Sequence, residues 1–211
     1  MAFHNFRRVL AISAHPDDAD LGCGGTLVKA ARAGAVVHAC VMSRCADETP
    51  KGAENLRVDE FLAAARVLGI KKTHVFDFRN RELPSQEIEM LERFAEIQES
   101  VKPDLVLIPW TDDSHQDHAS VGLAAVRSFR RKETILQYEI LRYGSHSFTP
   151  NLFVDISDSI EKKLEALSSY RSQFRQRAYF DRESFQGLAR TRGAQVGFNY
   201  AEGFLGYKVL W

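Results

Sequence analysis

The sequence has no net charge, and this absence limits the partners that the protein can have. Lysine plus arginine total 28 and aspartate plus glutamate total 28, so the formal net charge is zero. A surface that captures DNA or an acidic membrane without specificity needs an excess of positive charge. We therefore expect no nucleic-acid partner and a substrate that is not a polyanion.

Cysteine is scarce, and long hydrophobic runs are missing. The three cysteines, Cys23, Cys40 and Cys45, form no CxxC pair and are odd in number, so a disulfide framework of the secreted kind is not expected. No segment reaches the roughly 18 apolar residues of a membrane span, and the amino-terminal stretch has no cleavage signal. These absences predict a cytoplasmic protein without a membrane span. The length allows residues 1–211 to form a single domain with its own core.

Short apolar runs alternate with helical patterns in the first 130 residues. Helical spacing of apolar residues marks Glu54–Leu68, which Gly69 closes, and Gln86–Val101. Because parallel strands need long crossovers, this alternation predicts an α/β fold, a Rossmann-like three-layer αβα sandwich with a mainly parallel sheet. The predicted buried strands are Val9–Ala14, Val36–Met42, His74–Phe78 and Leu105–Pro109.

The pattern weakens after residue 130. We expect strands at Ile135–Tyr143 and Leu152–Ile156, a helix at Ser157–Ser169, and a polar helix or lid at Arg171–Gly193. The last segment is rich in arginine, which could reach over a crevice toward an acidic or phosphorylated substrate, although such runs are more often solvated faces or subunit contacts. The arginines in question are Arg171, Arg175, Arg177, Arg182, Arg190 and Arg192.

Histidine and aspartate cluster at two predicted strand ends. His15, Asp17 and Asp18 follow the first strand, and the run from Asp112 to His118 follows the fourth. In open α/β sheets, ligands bind beyond the carboxyl ends of the strands, where the strand order reverses. If the first and fourth strands are neighbours there, two histidines and a carboxylate converge in a catalytic zinc arrangement with an open position. The same ligand set can also hold non-haem Fe²⁺.

Simpler explanations exist for each motif alone. Asp-Asp pairs and single histidines are common in turns and helix caps. The glycine run Gly22–Gly25 suggests a phosphate-binding loop, but it lacks the GxGxxG spacing, so a tight turn and close helix packing explain it better. Three functions stay open: metal-dependent amide hydrolysis, another metal-dependent hydrolysis such as that of a phosphoester, and non-catalytic binding of a sugar or nucleotide.

The motifs together resemble the LmbE-like (PIG-L) N-deacetylase family. AHPDDxxLGCGG at the end of the first strand and HxDH after the fourth carry the resemblance. Arg57 and Glu60 are similar to the RxxE helix of that family, and Arg192-Gly193 with Tyr200–Phe204 are similar to its RG…YAE tail. The resemblance therefore covers nearly the whole chain.

The resemblance implies a zinc-dependent hydrolase that removes an N-acetyl group from an amino sugar, such as an N-acetylglucosamine conjugate, and gives acetate and a free amine. It also allows a homo-oligomer, since related enzymes are often symmetric assemblies. Carried over residue by residue, it implies zinc ligands at His15, Asp18 and His118, a general base at Asp17, an oxyanion-polarising or amine-protonating group at His115, an orienting carboxylate at Asp117, and a substrate contact at Arg57.

The sequence departs from the commoner family pattern at two positions. Ala19 stands where many members have glutamate, and Gln116 stands where HPDH has proline. Neither change removes an implied ligand or base, so we expect activity to be retained.

Overall fold

The structure is a computed structural model that describes residues 6–143 and 146–210; the side chains of Arg175 and Gln176 lie outside what it describes. The strands are β1 Arg8–Ser13, β2 Val36–Val41, β3 Lys72–Val75, β4 Leu105–Pro109, β5 Thr134–Tyr138, β6 Leu152–Asp155 and β7 Ala201–Lys208. The α-helices are α1 Asp18–Arg32, α2 Leu56–Leu68, α3 Glu87–Val101, α4 Gln116–Phe129, α5 Ile160–Leu167, α6 Arg171–Gln176 and α7 Arg182–Ala194.

The strands form one seven-stranded sheet in the order β3-β2-β1-β4-β5-β7-β6. Strands β1 to β5 are parallel, while β7 runs antiparallel to both β5 and β6. The strand order therefore reverses between β1 and β4, where ligands bind in folds of this kind. The adjacency on which the site depends is confirmed.

Alternate residues of β1 pack into two separate hydrophobic clusters, one on each face of the sheet. Val9 and Ala11 belong to one cluster, with residues of α1, α2 and α5, while Leu10 and Ile12 belong to the other, with residues of α3 and α4. Successive side chains of a strand point to opposite faces, so the sheet is covered on both sides. The predicted three-layer αβα sandwich is confirmed.

Several predicted boundaries differ from the observed ones. β3 begins two residues earlier than predicted and ends at Val75, because Asp77 makes only an isolated bridge to Ser43. β5 ends at Tyr138, five residues before the predicted end. The segment Ala201–Lys208, read only as a motif, is β7, a strand between β5 and β6.

The glycine run lies inside α1 and does not form a turn. A Cβ atom at Gly22 would lie 2.1 Å from Cδ2 of Tyr138, and one at Gly25 would lie 2.9 Å from two side-chain carbons of Ile156. The expected tight turn is therefore wrong, whereas the expected close packing of helix on sheet is confirmed. No helix in residues 6–143 and 146–210 is long and apolar enough to cross a membrane.

Candidate active site

The two histidine-aspartate clusters meet over the gap between β1 and β4. His15 lies two residues beyond β1, and His118 lies in the first turn of α4, which follows β4. Nδ1 of His15 is 3.2 Å from Nε2 of His118. Both side chains are buried. The sequence-predicted convergence of these two residues is present.

Asp18 completes a three-residue cluster. Its Oδ2 accepts a hydrogen bond of 2.7 Å from the backbone N–H of His15 and lies 3.3 Å from Nδ1 of that ring. Its Oδ1 lies 3.4 Å from Nε2 of His118. Asp18 is also the first residue of α1, where the helix dipole favours a negative charge. One carboxylate and two imidazole nitrogens thus face a common point.

The electrostatics of this cluster favour a cation at that point. Burial lowers the pKa of His15, but Asp18 and Asp117 outweigh it and raise the pKa to about 10. Burial likewise lowers the pKa of His118, but Asp18 and Asp113 outweigh it and raise the pKa to about 9. Two imidazolium ions with nitrogens 3.2 Å apart would repel each other. The carboxylates therefore suit one cation shared by both rings, and the donor set fits a divalent metal ion.

Two further carboxylates lie within ion-pair distance of the outer nitrogens of these rings. Oδ2 of Asp117 lies 3.2 Å from Nε2 of His15 and accepts a 2.7 Å hydrogen bond from the backbone N–H of Arg81. Oδ2 of Asp113 lies 3.2 Å from Nδ1 of His118. Carboxylates of this kind fix the tautomer and orientation of metal-binding histidines. The resemblance implied that Asp117 orients His115, whereas the structure places its carboxylate against His15; Asp113 was not singled out.

His115 is the amino-terminal cap of α4. Its Nδ1 accepts a 3.2 Å hydrogen bond from the backbone N–H of Asp117, so the neutral ring carries its proton on Nε2. Burial, together with His118 and His15, lowers the pKa of His115 to about 4. The ligand atoms of the three histidines lie within 4.8 Å of one another and could hold a metal ion. A protonated Nε2 has no lone pair to offer a metal ion. Asp18 is therefore a better candidate than His115 for the third ligand.

Asp17 lies beside this cluster and is held by an arginine. Its Oδ1 accepts a 2.8 Å hydrogen bond from Nη2 of Arg57, while its Oδ2 is buried and has no hydrogen-bond partner among the described residues. Nη1 of Arg57 also donates to Oε2 of Glu48, at 3.0 Å. Arg57 is only 1% exposed. Its guanidinium contacts the site through these two carboxylates, and the substrate contact expected for Arg57 stays a prediction.

A cleft opens over these groups. Of the arginine-rich segment that the structure describes, Arg177 lines the cleft, whereas Arg192 makes a two-fold ion pair of 2.7 Å with Glu139 elsewhere. Arg175, also named from the sequence, has its side chain outside the described residues. The cleft is lined by His15, Asp17, Asp18, Leu21, Glu48, Asn80, His115, His118, Ile140, Tyr143, Arg177 and Tyr179.

These features define an α/β protein with a histidine-aspartate cluster suited to a metal ion, at the reversal point of a mainly parallel sheet, with a buried carboxylate beside it. Residues 10–151 match the PIG-L family, described as GlcNAc-PI de-N-acetylase. The chain belongs to this family, and it is accordingly a hydrolase of the deacetylase class.

Individual relatives agree with this assignment. The chain is 31% identical to the diacetylchitobiose deacetylase of Thermococcus kodakarensis over 95% of its own length and 83% of that protein. It is similar to the structure of N,N'-diacetylchitobiose deacetylase from Pyrococcus horikoshii, with a TM-score of 0.82 and 28% identity, over 96% of this chain and 84% of that one. Both similarities extend well beyond the two histidine-aspartate motifs.

A third similarity concerns the fold alone. The 4-carboxy-2-hydroxymuconate hydratase GalB of Pseudomonas putida has a TM-score of 0.80 but is only 20% identical, over 97% of this chain and 98% of that one. Because one fold can host different reactions, the assignment of a reaction to this chain depends on its site residues.

Proposed function

We propose that the protein is a zinc-dependent N-deacetylase that hydrolyses the N-acetyl group of an amino sugar of the N-acetylglucosamine type. The observation that carries the proposal is the cluster of His15, Asp18 and His118, with Asp17 beside it but not part of it. These three residues would hold the ion. Zinc bound there would supply Lewis-acid catalysis, since it polarises a carbonyl group and lowers the pKa of water.

Asp17 acts as the general base in this proposal. Arg57 binds its Oδ1, which fixes the direction of the other oxygen. That second oxygen, Oδ2, is buried without a hydrogen-bond partner among the described residues, and Asp17 lines the cleft. A carboxylate in this position can accept a proton from the water molecule that attacks the amide carbon, and it can return that proton to the amine nitrogen as the C–N bond breaks.

His115 donates a hydrogen bond to the amide oxygen as negative charge develops on it. Its Nδ1 is occupied by the backbone N–H of Asp117, so Nε2–H is the group it presents to the cleft. The lowered pKa of about 4 keeps the ring neutral, which suits a hydrogen-bond donor better than a proton donor to the leaving amine. Fixed donors aimed at a developing oxyanion typically contribute about 10²–10³-fold to the rate.

Metal analysis and product analysis on the same preparations test the proposal. We expect about one zinc ion per chain and release of acetate from an N-acetylglucosaminide. His118→Ala should lose both the metal and the activity, because a buried ligand is removed. The matched control is His74→Gln, a histidine whose ring stacks on His38, away from the cluster.

Two outcomes would count against the proposal. Release of phosphate from phosphoesters in place of acetate would indicate another metal-dependent hydrolase. Full metal content in His118→Ala would show that the ligand set is wrong.

A further inference from the structure

The hydroxyl group of Tyr170 contacts the turn that carries the proposed base. Tyr170 lies between α5 and α6 and is fully buried. Its hydroxyl oxygen lies 2.8 Å from the carbonyl oxygen of Pro16 and 2.6 Å from Oδ2 of Asp20, in the first turn of α1. Pro16 stands between the proposed ligand His15 and the proposed base Asp17. A residue 154 positions further along the chain than Pro16 therefore reaches this turn.

A contact at the Pro16 carbonyl group influences the direction of Asp17. The peptide group is planar, so a fixed carbonyl group of Pro16 also fixes the plane from which the Cα atom of Asp17 leaves. At the other end of the turn, the backbone N–H of His15 donates to the carboxylate of Asp18 at 2.7 Å, which fixes the ligand. The hydroxyl group of Tyr170 gives comparable support at the end next to the base.

A second contact of the same segment reaches Asp17 by way of α2. The backbone N–H and the hydroxyl group of Ser172 donate to the two carboxylate oxygens of Glu60, at 2.8 and 2.7 Å. Glu60 is buried and lies one turn after Arg57 on α2. Arg57 in turn donates to Oδ1 of Asp17. Residues 170–172 therefore support both the main chain that precedes the base and the helix whose arginine holds its carboxylate.

These supporting groups lie behind the cleft and not in it. The cleft lining, as far as the described residues form it, includes Asp17 but not Tyr170, Ser172 or Glu60. A substrate in the cleft can therefore contact the base without contacting the groups that support it. A group that only stabilises the fold affects how much protein is folded, whereas a group that positions the base affects kcat of the folded protein.

We propose that Tyr170 is a positioning residue for the deacetylation reaction. Its hydroxyl group holds the carbonyl group of Pro16 so that Asp17 faces the attacking water molecule. The contact between Ser172 and Glu60 holds the segment of Tyr170 against α2. This inference rests on the proposed function, because it requires Asp17 to act as the base.

Tyr170→Phe tests the inference, since it keeps the buried ring and removes only the hydroxyl group. We expect kcat for acetate release to fall by about 10–100-fold, because a displacement of about 1 Å can cost about 10²-fold. KM should stay within about twofold and the zinc content should not change, since no contact with the substrate or the metal is removed. An unchanged kcat in folded, zinc-loaded Tyr170→Phe would overturn the inference.

Tyr138→Phe is the matched control. The hydroxyl group of Tyr138 is also buried and also donates to a backbone carbonyl group, that of Ile12 in β1, at 2.7 Å. Both variants should lower the midpoint of urea unfolding by similar amounts, because each loses one buried hydrogen bond. Only Tyr170→Phe should lower kcat, whereas Tyr138→Phe should keep a value near that of wild type. Equal losses of kcat in the two variants would overturn the inference.

Combination with Asp17→Asn shows whether Tyr170 acts through the base. In the Asp17→Asn background, Tyr170→Phe should leave the residual kcat nearly unchanged, because the group that it positions is already absent. Losses that multiply in the double variant would overturn the inference. If Tyr170→Phe does not fold, Ser172→Ala takes its place in both backgrounds. A loss of kcat confined to the chain with Asp17 intact supports the inference, and an unchanged kcat or an equal loss in both backgrounds overturns it.

Crystal structures separate failure of this inference from failure of the proposed function. Absence of acetate release by wild type would contradict deacetylation. The position of Asp17 in crystals of wild type and of Tyr170→Phe then decides whether Tyr170 positions it. A carboxylate displaced by about 1 Å or more in the variant supports the inference, and a carboxylate that superposes on that of wild type overturns it. Acetate release with equal kcat in both proteins would overturn the inference and leave the proposed function intact.

Discussion

Asp17 and Asp18 are adjacent in the chain but occupy different environments. Asp18 faces His15 and His118, and these two rings lower its pKa well below the usual range although burial opposes the shift. Asp17 faces Arg57, and one of its oxygens has no hydrogen-bond partner among the described residues. Two adjacent residues of the same type can therefore take different roles, Asp18 as a metal ligand and Asp17 as a base.

We expect Asp17→Asn to retain the metal and to lose most turnover. An amide cannot accept the proton that a carboxylate accepts, and loss of a general base typically lowers kcat by about 10²–10⁴-fold. Metal content and acetate release should be measured on the same preparation, with Asp59→Asn, on the same helix as Arg57, as the control. Full turnover in Asp17→Asn would refute the role of Asp17 as base.

Arg57 is predicted to matter for stability as well as for activity. Its side chain is 1% exposed and that of Asp17 is 3% exposed, so Arg57→Ala leaves a buried charge without its partner. Loss of one partner of a buried ion pair typically costs about 3–5 kcal/mol. Urea unfolding should show this loss, whereas Arg66→Ala, at an exposed position of α2, should change the free energy of unfolding by less than about 0.5 kcal/mol. Equal stability of the two variants would show that the ion pair is not structural.

At the scale of elements, α1 consists of two helical pieces that meet at Cys23, where φ is −142° and ψ is 17°. The second piece begins with backbone N–H groups that have no partner within the helix. Gly25 and Thr26 donate these to the carboxylate of Glu202 on β7, at 2.9 and 2.7 Å. Lys163 on α5 donates to the same carboxylate at 2.6 Å. One buried carboxylate thus joins three elements behind the cleft.

Replacement of either Lys163 or Glu202 should destabilise the protein strongly. Lys163→Met and Glu202→Gln should each lower the free energy of unfolding by about 3–5 kcal/mol, because each leaves a buried partner unsatisfied. The double variant should lose less than the sum, with a coupling of about 0.5–3 kcal/mol. The neighbouring Lys162, in an exposed pair with Glu165 on the same helix, is the control, and Lys162→Met should change stability by at most about 1 kcal/mol. Additive losses would show that the pair is not coupled.

Two glycine substitutions compare a closely packed helix position, Gly22, with a position that has open space around it, Gly187. Gly22→Ala places a Cβ atom 2.1 Å from a ring carbon of Tyr138 and 2.9 Å from the carbonyl oxygen of Glu139. Overpacking of this kind typically costs about 1–3 kcal/mol. Gly187→Ala on α7 meets no atom within 4 Å and should stabilise by about 0.5–1 kcal/mol. Thermal unfolding of both variants checks the opposite signs, and a stabilised Gly22→Ala would contradict the packing.

At the scale of the whole molecule, the sequence predicted the parts that local patterns determine. Apolar runs and helical spacing predicted the layers, and the two clusters at strand ends predicted that His15 and His118 meet. β7 escaped prediction because Gly203 and Gly206 interrupt its apolar pattern. The contact of Glu202 with α1 joins residues 177 positions apart, and no local signal marks it. The tautomer of His115 likewise depends on a backbone contact that only the folded chain provides.

The order of residues along the chain has a consequence for how such proteins diversify. The groups proposed to break the amide bond all lie between residues 15 and 118, whereas Ile140, Tyr143, Arg177 and Tyr179, which line the same cleft, come later. Selection can therefore change these later lining residues and leave the reaction centre untouched. Substrate choice and bond cleavage would then depend on different parts of the chain. This would allow one reaction to be applied to many different sugars.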